Sequence, residues 1–327
     1  MRWRPCWARP RRRRRSTEPE AVDSATVWLL LTACTWVDPP VVATVVGHDP
    51  GAERHVWMFR QQPNGSFQRD PVPIASSLSS LGLEVVDDAL VLTAVGVWLG
   101  SVSEWRREWL GPPLHALRTT DLDTWEPLIW RLSGDAQDRV PIDPQLHATA
   151  AGVDLYYYAV PAMERGDPAL HTTDHVIARA TLDGGFTWQE DVLSARNLAD
   201  PSPVTFQGQT LLFATTRPGS EITLFSGDPL TRVRTWSDVS VPHAFVHDGV
   251  LQLWASRWRG SQQVAVRATS TNGRDFTAWD EPLPMAGLRH CASPVGASWQ
   301  GQVLALCADE VPVVPRQGPP PTEPPRR

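Results

Sequence analysis

Two aspartates followed by proline are the residues of this chain best suited to acid–base chemistry. They form the pairs Asp143-Pro144 and Asp200-Pro201, and each pair precedes an apolar stretch typical of a β-strand. Two carboxyl groups held across a cleft can give and take a proton during hydrolysis. The alternative is that Asp-Pro only begins each strand, with the carboxylate bonded to nearby amides.

Five recurrent hairpins are the elements that would position these acids. Each copy is a short strand, a turn and a second apolar strand, at Leu83–Val95, Gln145–Val160, Pro203–Thr215, Ala244–Ala255 and Ser293–Leu306. The 16 tryptophans, 31 prolines and 22 glycines agree with short strands and many turns rather than long helices. The sequence therefore predicts an all-β fold, a five-bladed β-propeller over residues 55–310.

The two ends of the predicted ring complement each other. The last hairpin has no outer strands after it, because the Pro-rich residues 311–327 follow and are predicted to be a disordered tail. An unpaired hairpin, His55–Arg60 with Phe67–Ile74, precedes the first blade. We expect these N-terminal strands to complete the last blade and close the ring, which leaves no sheet edge open.

The innermost strand of each propeller blade lines a central channel. Residues just before the first strand of each hairpin are therefore candidates for a site, and these are Glu84, Asp143, Asp200, His243 and His290.

Short turns centred on Asp or Asn follow four of the hairpins. Thr181–Trp188 fits the pattern Ser/Thr-x-Asp-x-Gly-x-Thr-Trp, Thr119–Trp125 and Ser270–Phe276 are shorter versions, and Ser226–Trp236 is a degenerate copy. The pattern resembles the Asp-box of sialidase-like propellers. In this structural turn the Asp caps backbone amides and the aromatic residue packs between blades.

The hairpins, together with the run from Ile142-Asp143-Pro144 to Tyr158, resemble the five-bladed glycoside hydrolases of the arabinanase, xylosidase and fructosidase type. The resemblance implies a carbohydrate partner, no organic cofactor, and acidic roles on successive blades. Glu84 would be the base, Asp143 the orienting carboxylate and Asp200 the general acid, which together would cleave a glycosidic bond.

The same resemblance implies that His290 lies near a metal ion or water at the channel centre, with His243 assisting. No set of metal-ligating side chains is predicted. Relatives usually carry Asp at the position of Glu84 and Glu at the position of Asp200. The alternative function is therefore a non-catalytic propeller that binds a glycan or a protein partner at the cell envelope.

Six-bladed sialidases are a competing template, because they grip a carboxylate with three arginines and use a tyrosine nucleophile. Arg217, Arg257 and Arg289 lie at the ends of inner segments, and Tyr156–Tyr158 are the only tyrosines. Five hairpins favour five blades, and arginine is the only strongly basic residue type in the chain. We retain Arg217 and Arg257 as candidate binding residues.

Residues 1–33 resemble a signal peptide, with an arginine-rich start and the apolar run Ala25–Ala33. The sequence Leu31-Thr32-Ala33-Cys34 resembles the lipobox of bacterial lipoproteins, in which the cysteine is lipidated. This implies an extracytoplasmic protein, either anchored through Cys34 with residues 34–54 as a tether or secreted.

The remaining cysteines and the net charge fit an exported chain. Cys291 and Cys307 flank a predicted hairpin and could pair outside the cytosol, and two buried free thiols are the alternative.

The net charge is −6 although the N-terminus is arginine-rich, so the rest of the chain is acidic. This argues against nucleic acid as a partner and against membrane contact other than through a lipid anchor. A monomer is expected.

Overall fold

The computed structural model describes residues 54–76, 78–96, 114–129, 132–133, 139–161, 176–182, 186–193, 198–216, 221–259, 262–279, 283–285, 291 and 293–310. All of them belong to the compact unit Thr44–Arg327. They contain no helix that could cross a membrane. The predicted leader, Cys34 and the Pro-rich tail lie outside the described residues and stay predictions.

The described strands form five separate sheets, and the predicted five-bladed β-propeller is confirmed. Blade 1 has the order β4 (Leu78–Val86), β5 (Ala89–Gly96), β6 (His115–Thr119) and β7 (Glu126–Ile129). Blade 2 has the order β9 (Arg139–Thr149), β10 (Gly152–Pro161), β11 (Val176–Leu182), β12 (Phe186–Leu193) and β8 (Leu132–Ser133).

The strands β8 and β12 of blade 2 pair in parallel, and the strand pairs of the remaining blades are antiparallel. Blade 3 has β13 (Leu198–Phe206), β14 (Gln209–Thr216), β15 (Glu221–Ser226) and β16 (Thr231–Ser237), and blade 4 has β17 (Ser240–His247), β18 (Val250–Arg259) and β19 (Gln262–Ser270). Blade 5 combines β20 (Val295–Trp299) and β21 (Gln302–Glu310) with the early strands β1 (Arg54–Gln61), β2 (Phe67–Arg69) and β3 (Ala75–Ser76). Strand β1 is hydrogen-bonded to β21 from Arg54↔Glu310 to Arg60↔Leu304.

The inner strands β4, β9, β13, β17 and β20 contact one another in a ring, each touching the next and β20 touching β4. The cores lie between neighbouring blades rather than in one central mass. Between blades 3 and 4, for example, Phe213, Leu224, Leu253 and Val266 are fully or almost fully buried. The outer strand β16, by contrast, is mostly exposed. Burial between blades leaves the axis of the ring free for polar side chains from the inner strands.

Two of the Asp- or Asn-centred turns have the local geometry that their sequences predict. Asp121 Oδ1 accepts hydrogen bonds from the Asp123 and Thr124 amides at 2.9 and 2.8 Å. Asn272 Oδ1 accepts from the Arg274 and Asp275 amides at 2.9 and 2.8 Å. The centre of the Thr181–Trp188 pattern lies outside the described residues, and the identification of these turns as Asp-boxes stays a prediction.

Candidate functional site

The same backbone irregularity interrupts the inner strands of four blades. In each, two residues face a single partner on the next strand, which is a β-bulge. The first bulge residue has a positive φ: 52° at Ser80, 52° at Asp143, 50° at Asp200 and 53° at Val241. We call these four residues the mouth ring, because they lie near the start of the inner strands, at one end of the channel.

The residue types of the mouth ring explain part of this geometry. Asp tolerates a left-handed conformation better than most residues, whereas a β-branched residue such as Val241 is strained there. The Val241 amide donates a 2.9 Å hydrogen bond to Thr215 Oγ1 of blade 3, which holds the strained backbone against the neighbouring blade. Backbone strain of this kind is concentrated at functional sites.

Blade 5 continues the mouth ring in sequence. Ser293-Pro294 precedes the hairpin turn of blade 5 by the same number of residues as Asp200-Pro201 precedes the turn of blade 3. Proline follows the first bulge residue in blades 2, 3 and 4, and Leu81 takes its place in blade 1. The repeated Asp-Pro context therefore marks one structural position.

Asp143 and Asp200 are the two carboxylates of the mouth ring. They occupy the same bulge position on β9 and β13, which are neighbouring strands of the inner ring. Asp200 is 7% exposed, and Asp143 is partly exposed. The structure therefore brings these two predicted site residues to the same level of adjacent blades.

Glu84 does not share that level. The mouth-ring position of blade 1 is Ser80, and Glu84 lies four residues further along β4, roughly 13 Å nearer the hairpin turn at the other end of the channel. Burial raises the pKa of Glu84 to about 8, against a weak opposing effect of the Val85 amide, which donates to the carboxylate at 3.2 Å. Its assignment as the partner base of Asp143 and Asp200 stays a prediction, and this placement does not favour it.

His243 joins two blades. It is 3% exposed, and its Nε2 lies 2.7 Å from the Gly296 carbonyl oxygen of blade 5, so that nitrogen carries the proton and donates. Burial lowers the pKa of His243 to about 4, although the Gly296 hydrogen bond opposes the shift. The ring is therefore neutral at physiological pH, and its contact is structural.

His243 lies two residues after the mouth-ring residue of blade 4, and the residues at the same position of blades 2 and 3 make similar links between blades. Gln145 Nε2 donates to the Leu81 carbonyl at 2.7 Å, and Ser202 Oγ accepts from the Ala244 amide at 2.8 Å. This position therefore connects neighbouring inner strands around the channel.

The other predicted site residues divide into three groups. Arg257 follows Ser256 on β18, and Ser256 pairs with Ser240 beside the mouth ring, so Arg257 lies at the mouth end of blade 4. Cys291 and Cys307 form a disulfide with their Cα atoms 5.5 Å apart. Arg217, His290 and Cys34 lie outside the described residues. Within the described part of the chain, no three His, Cys, Asp or Glu side chains cluster as a metal site would require.

Sequence reasoning missed the bulge position Ser80 and the equivalent sequence position Ser293 of blade 5. Counting back the same number of residues from each hairpin turn would have found both. It also missed His147, whose Nε2 lies 2.9 Å from Thr205 Oγ1 between blades 2 and 3.

Comparisons with known proteins support the fold. No family model and no curated protein matches the sequence. Solved structures do match, among them five-bladed glycoside hydrolases of family 43. An exo-β-1,3-galactanase from Phanerochaete chrysosporium superposes with a TM-score of 0.52 at 13% identity, over 74% of this chain and 62% of that one. This chain thus spans less than two thirds of the galactanase.

An α-L-arabinofuranosidase from Lactobacillus brevis has a TM-score of 0.51 at 13% identity and covers 75% of this chain and 86% of its own. A thermostable family-43 glycoside hydrolase has a TM-score of 0.50 at 11% identity, over 76% of this chain and 98% of its own. At these identities the matches establish a glycoside hydrolase-like propeller as a fold, and function has to come from the site.

Proposed function

We propose that this chain is a carbohydrate-active propeller in which Asp143 and Asp200 carry acid–base cleavage of a glycosidic bond. The supporting observation is that the two carboxylates occupy one repeated bulge on adjacent inner strands, at the same end of the channel. The solved neighbours named as an exo-β-1,3-galactanase and an α-L-arabinofuranosidase support a carbohydrate partner.

The chemistry needs one carboxyl group to give a proton and another group to receive one. In the proposed reaction Asp200 protonates the glycosidic oxygen as the C–O bond breaks. In an inverting reaction Asp143 takes a proton from the water that adds to the sugar carbon; in a retaining reaction Asp143 bonds to that carbon, and water deprotonated by Asp200 then cleaves the bond. The carboxyl separation decides the stereochemistry, with ~5–5.5 Å typical of retention and ~6.5–9.5 Å of inversion. Anomer-resolved NMR of the first product would assign the outcome.

The test compares the Cys34→Ser chain with its Asp143→Asn and Asp200→Asn variants on aryl galactosides, arabinofuranosides and xylosides, on arabinan and on β-1,3-galactan. Because Asn also tolerates positive φ, both variants should keep the backbone and lose at least about 100-fold in kcat/KM. Asp87→Asn is the matched control, since Asp87 has a φ of 48° but is exposed in a hairpin turn. Activity retained in both mouth-ring variants would contradict the proposal.

A non-catalytic glycan- or protein-binding propeller is the second candidate, and Ser80 favours it. Blade 1 carries the hydroxyl of Ser80 at the mouth-ring position. The mouth ring therefore has two carboxylates, whereas the resemblance implies an acidic residue on each of three blades. Glycan-array binding without turnover, weakened by Asp143→Asn, would select this candidate.

We also propose that the chain is exported as a monomer and anchored through Cys34 or secreted. The lipobox-like sequence Leu31–Cys34 and the Cys291–Cys307 disulfide, typical of oxidising compartments, support this. Radiolabelled palmitate incorporated into the wild type but not into Cys34→Ser would establish the anchor.

A further inference from the structure

A cavity lies toward the hairpin-turn end of the channel, away from the mouth ring. Its volume is about 240 Å³, and inner strands of all five blades line it. The residues on which the inference rests are Glu84, His147, Thr205, Phe245 and Ser298. Neither Asp143 nor Asp200 lines this cavity, so it is separate from the candidate catalytic pair. We call it the floor cavity.

Glu84 contributes the carboxyl group that lines the floor cavity. Protein surrounds the side chain, yet part of its surface stays accessible because it borders the cavity. Its carboxyl group accepts a hydrogen bond of 3.2 Å from the Val85 amide. No cationic side chain of the described residues pairs with it. A largely desolvated carboxyl group with so few partners favours an occupant that can hydrogen-bond to it.

The surrounding groups are neutral and can both donate and accept. Thr205 contributes a hydroxyl already bonded to His147, and Ser298 Oγ lies 2.9 Å from His247 Nδ1. The His147 side chain is 3% exposed, and its Nδ1 has no hydrogen-bond partner among the described residues. Phe245 adds an apolar wall.

The raised pKa of Glu84 agrees with a neutral cavity. Desolvation moves it to about 8, so the carboxyl group is mostly protonated at pH 7 and offers one O–H donor as well as an acceptor oxygen. A calcium ion would need six to eight oxygen ligands, and a single carboxyl group with two hydroxyls is a poor match.

We propose that the floor cavity binds a small neutral polyhydroxylated ligand of about monosaccharide size. Such a ligand presents hydroxyls that can pair with Glu84 and Thr205, and C–H faces that can pack on Phe245. The volume is smaller than that of typical drug-sized pockets, ~300–1,000 Å³, and suits one sugar unit or a polyol rather than a chain.

The test is calorimetric titration of the full Cys34→Ser chain with D-galactose, L-arabinose and glycerol, and separately with calcium chloride. The Glu84→Gln variant keeps a neutral donor and acceptor and should bind within about threefold of wild type. Glu84→Leu and Thr205→Val should weaken binding at least tenfold, because each removes one polar partner. Circular dichroism and melting temperature check that each variant is folded.

The Asp143→Asn and Asp200→Asn variants separate the two sites. Binding that survives in both of them but is lost in Glu84→Leu assigns the ligand to the floor cavity, whether or not the mouth ring is catalytic. Three results would overturn the proposal: no binding of any of the three probes, binding lost only in the mouth-ring variants, or binding of calcium that disappears in Glu84→Gln.

Discussion

Glu84 and His243 are both buried ionisable side chains of the inner strands, and burial moves their pKa values in opposite directions. Each therefore favours its neutral form, Glu84 with a pKa of about 8 and His243 with a pKa of about 4. Neither is poised as a charged group at pH 7.

The Glu84→Gln substitution should remove a pH dependence of folding. Between pH 4.5 and 8 the folded chain holds a proton on Glu84 that the unfolded chain has released, so wild-type stability falls as pH rises through this window. The slope is on the order of 1 kcal/mol per pH unit. Urea unfolding at pH 5 and pH 8 should therefore show Glu84→Gln gaining stability relative to wild type at the higher pH.

Subtracting the free energy of unfolding of wild type from that of Glu84→Gln at each pH cancels the contributions of the other titrating groups. His243 acts in the opposite sense, because its lowered pKa makes stability fall as pH drops from 6.5 to 4. Wild-type and Glu84→Gln stabilities that run parallel from pH 5 to 8 would contradict the buried, protonated Glu84.

At the scale of elements, the bulges explain where sequence reasoning succeeds and where it fails. The turns predict the hairpins, but they place the start of the inner strand of blade 1 at Leu83, whereas β4 begins at Leu78. Prolines inside a strand normally argue against pairing, and a bulge is the exception. Asp143-Pro144 and Asp200-Pro201 therefore lie within β9 and β13 rather than ahead of them.

Blade 1 lacks the proline that marks the bulges of blades 2, 3 and 4, so Ser80 can be identified only by counting back from the hairpin turn. The strand start is then placed too late, and Glu84 is assigned to the channel mouth. Which residues share a level of the channel depends on the register between blades. That register is fixed by contacts such as Gln145 to the Leu81 carbonyl, which are distant in sequence.

Gly82 is where blades 1 and 2 approach closely, and Gly82→Ala should be strongly destabilising. A Cβ there would lie 2.4 Å from the Pro144 carbonyl oxygen and 2.5 Å from Thr93 Oγ1. Thr93 Oγ1 itself donates to that carbonyl at 2.8 Å, so the blades must separate or break this bond. We expect a loss of about 3 kcal/mol or more in urea unfolding, combining overpacking with a lost hydrogen bond.

Gly208→Ala is the control for this prediction. Gly208 has a φ of 77° in a hairpin turn, and nothing lies within 4 Å of the position that a Cβ would take. Its substitution should cost only the backbone strain, about 1–2 kcal/mol. Equal losses in the two variants would mean that the contact between blades 1 and 2 is looser than the structure has it.

At the scale of the whole molecule, blade 5 combines strands from both ends of the described chain. Strand β21 lies between β20 and β1, and its side chains from Leu304 to Ala308 are almost completely buried. The number of blades could be predicted from the repeat because each blade has its own turns. The site within the ring could not, because it depends on how five inner strands align around one axis.

The Cys291–Cys307 disulfide ties the segment before β20 to the buried strand β21 and should stabilise the whole ring. The two cysteines are 16 residues apart in sequence, and closing a loop of that size in the unfolded chain is worth about 3 kcal/mol. The double Cys291→Ser, Cys307→Ser variant, made in the Cys34→Ser chain, should therefore melt several degrees lower. Dithiothreitol should lower the melting temperature of the parent by a similar amount and leave the double variant unchanged.

Since this stabilisation is available only where disulfides persist, a parent chain prepared under reducing conditions should resemble the double variant. Equal melting temperatures for the parent and the double variant under oxidising conditions would show that the bond does not stabilise blade 5.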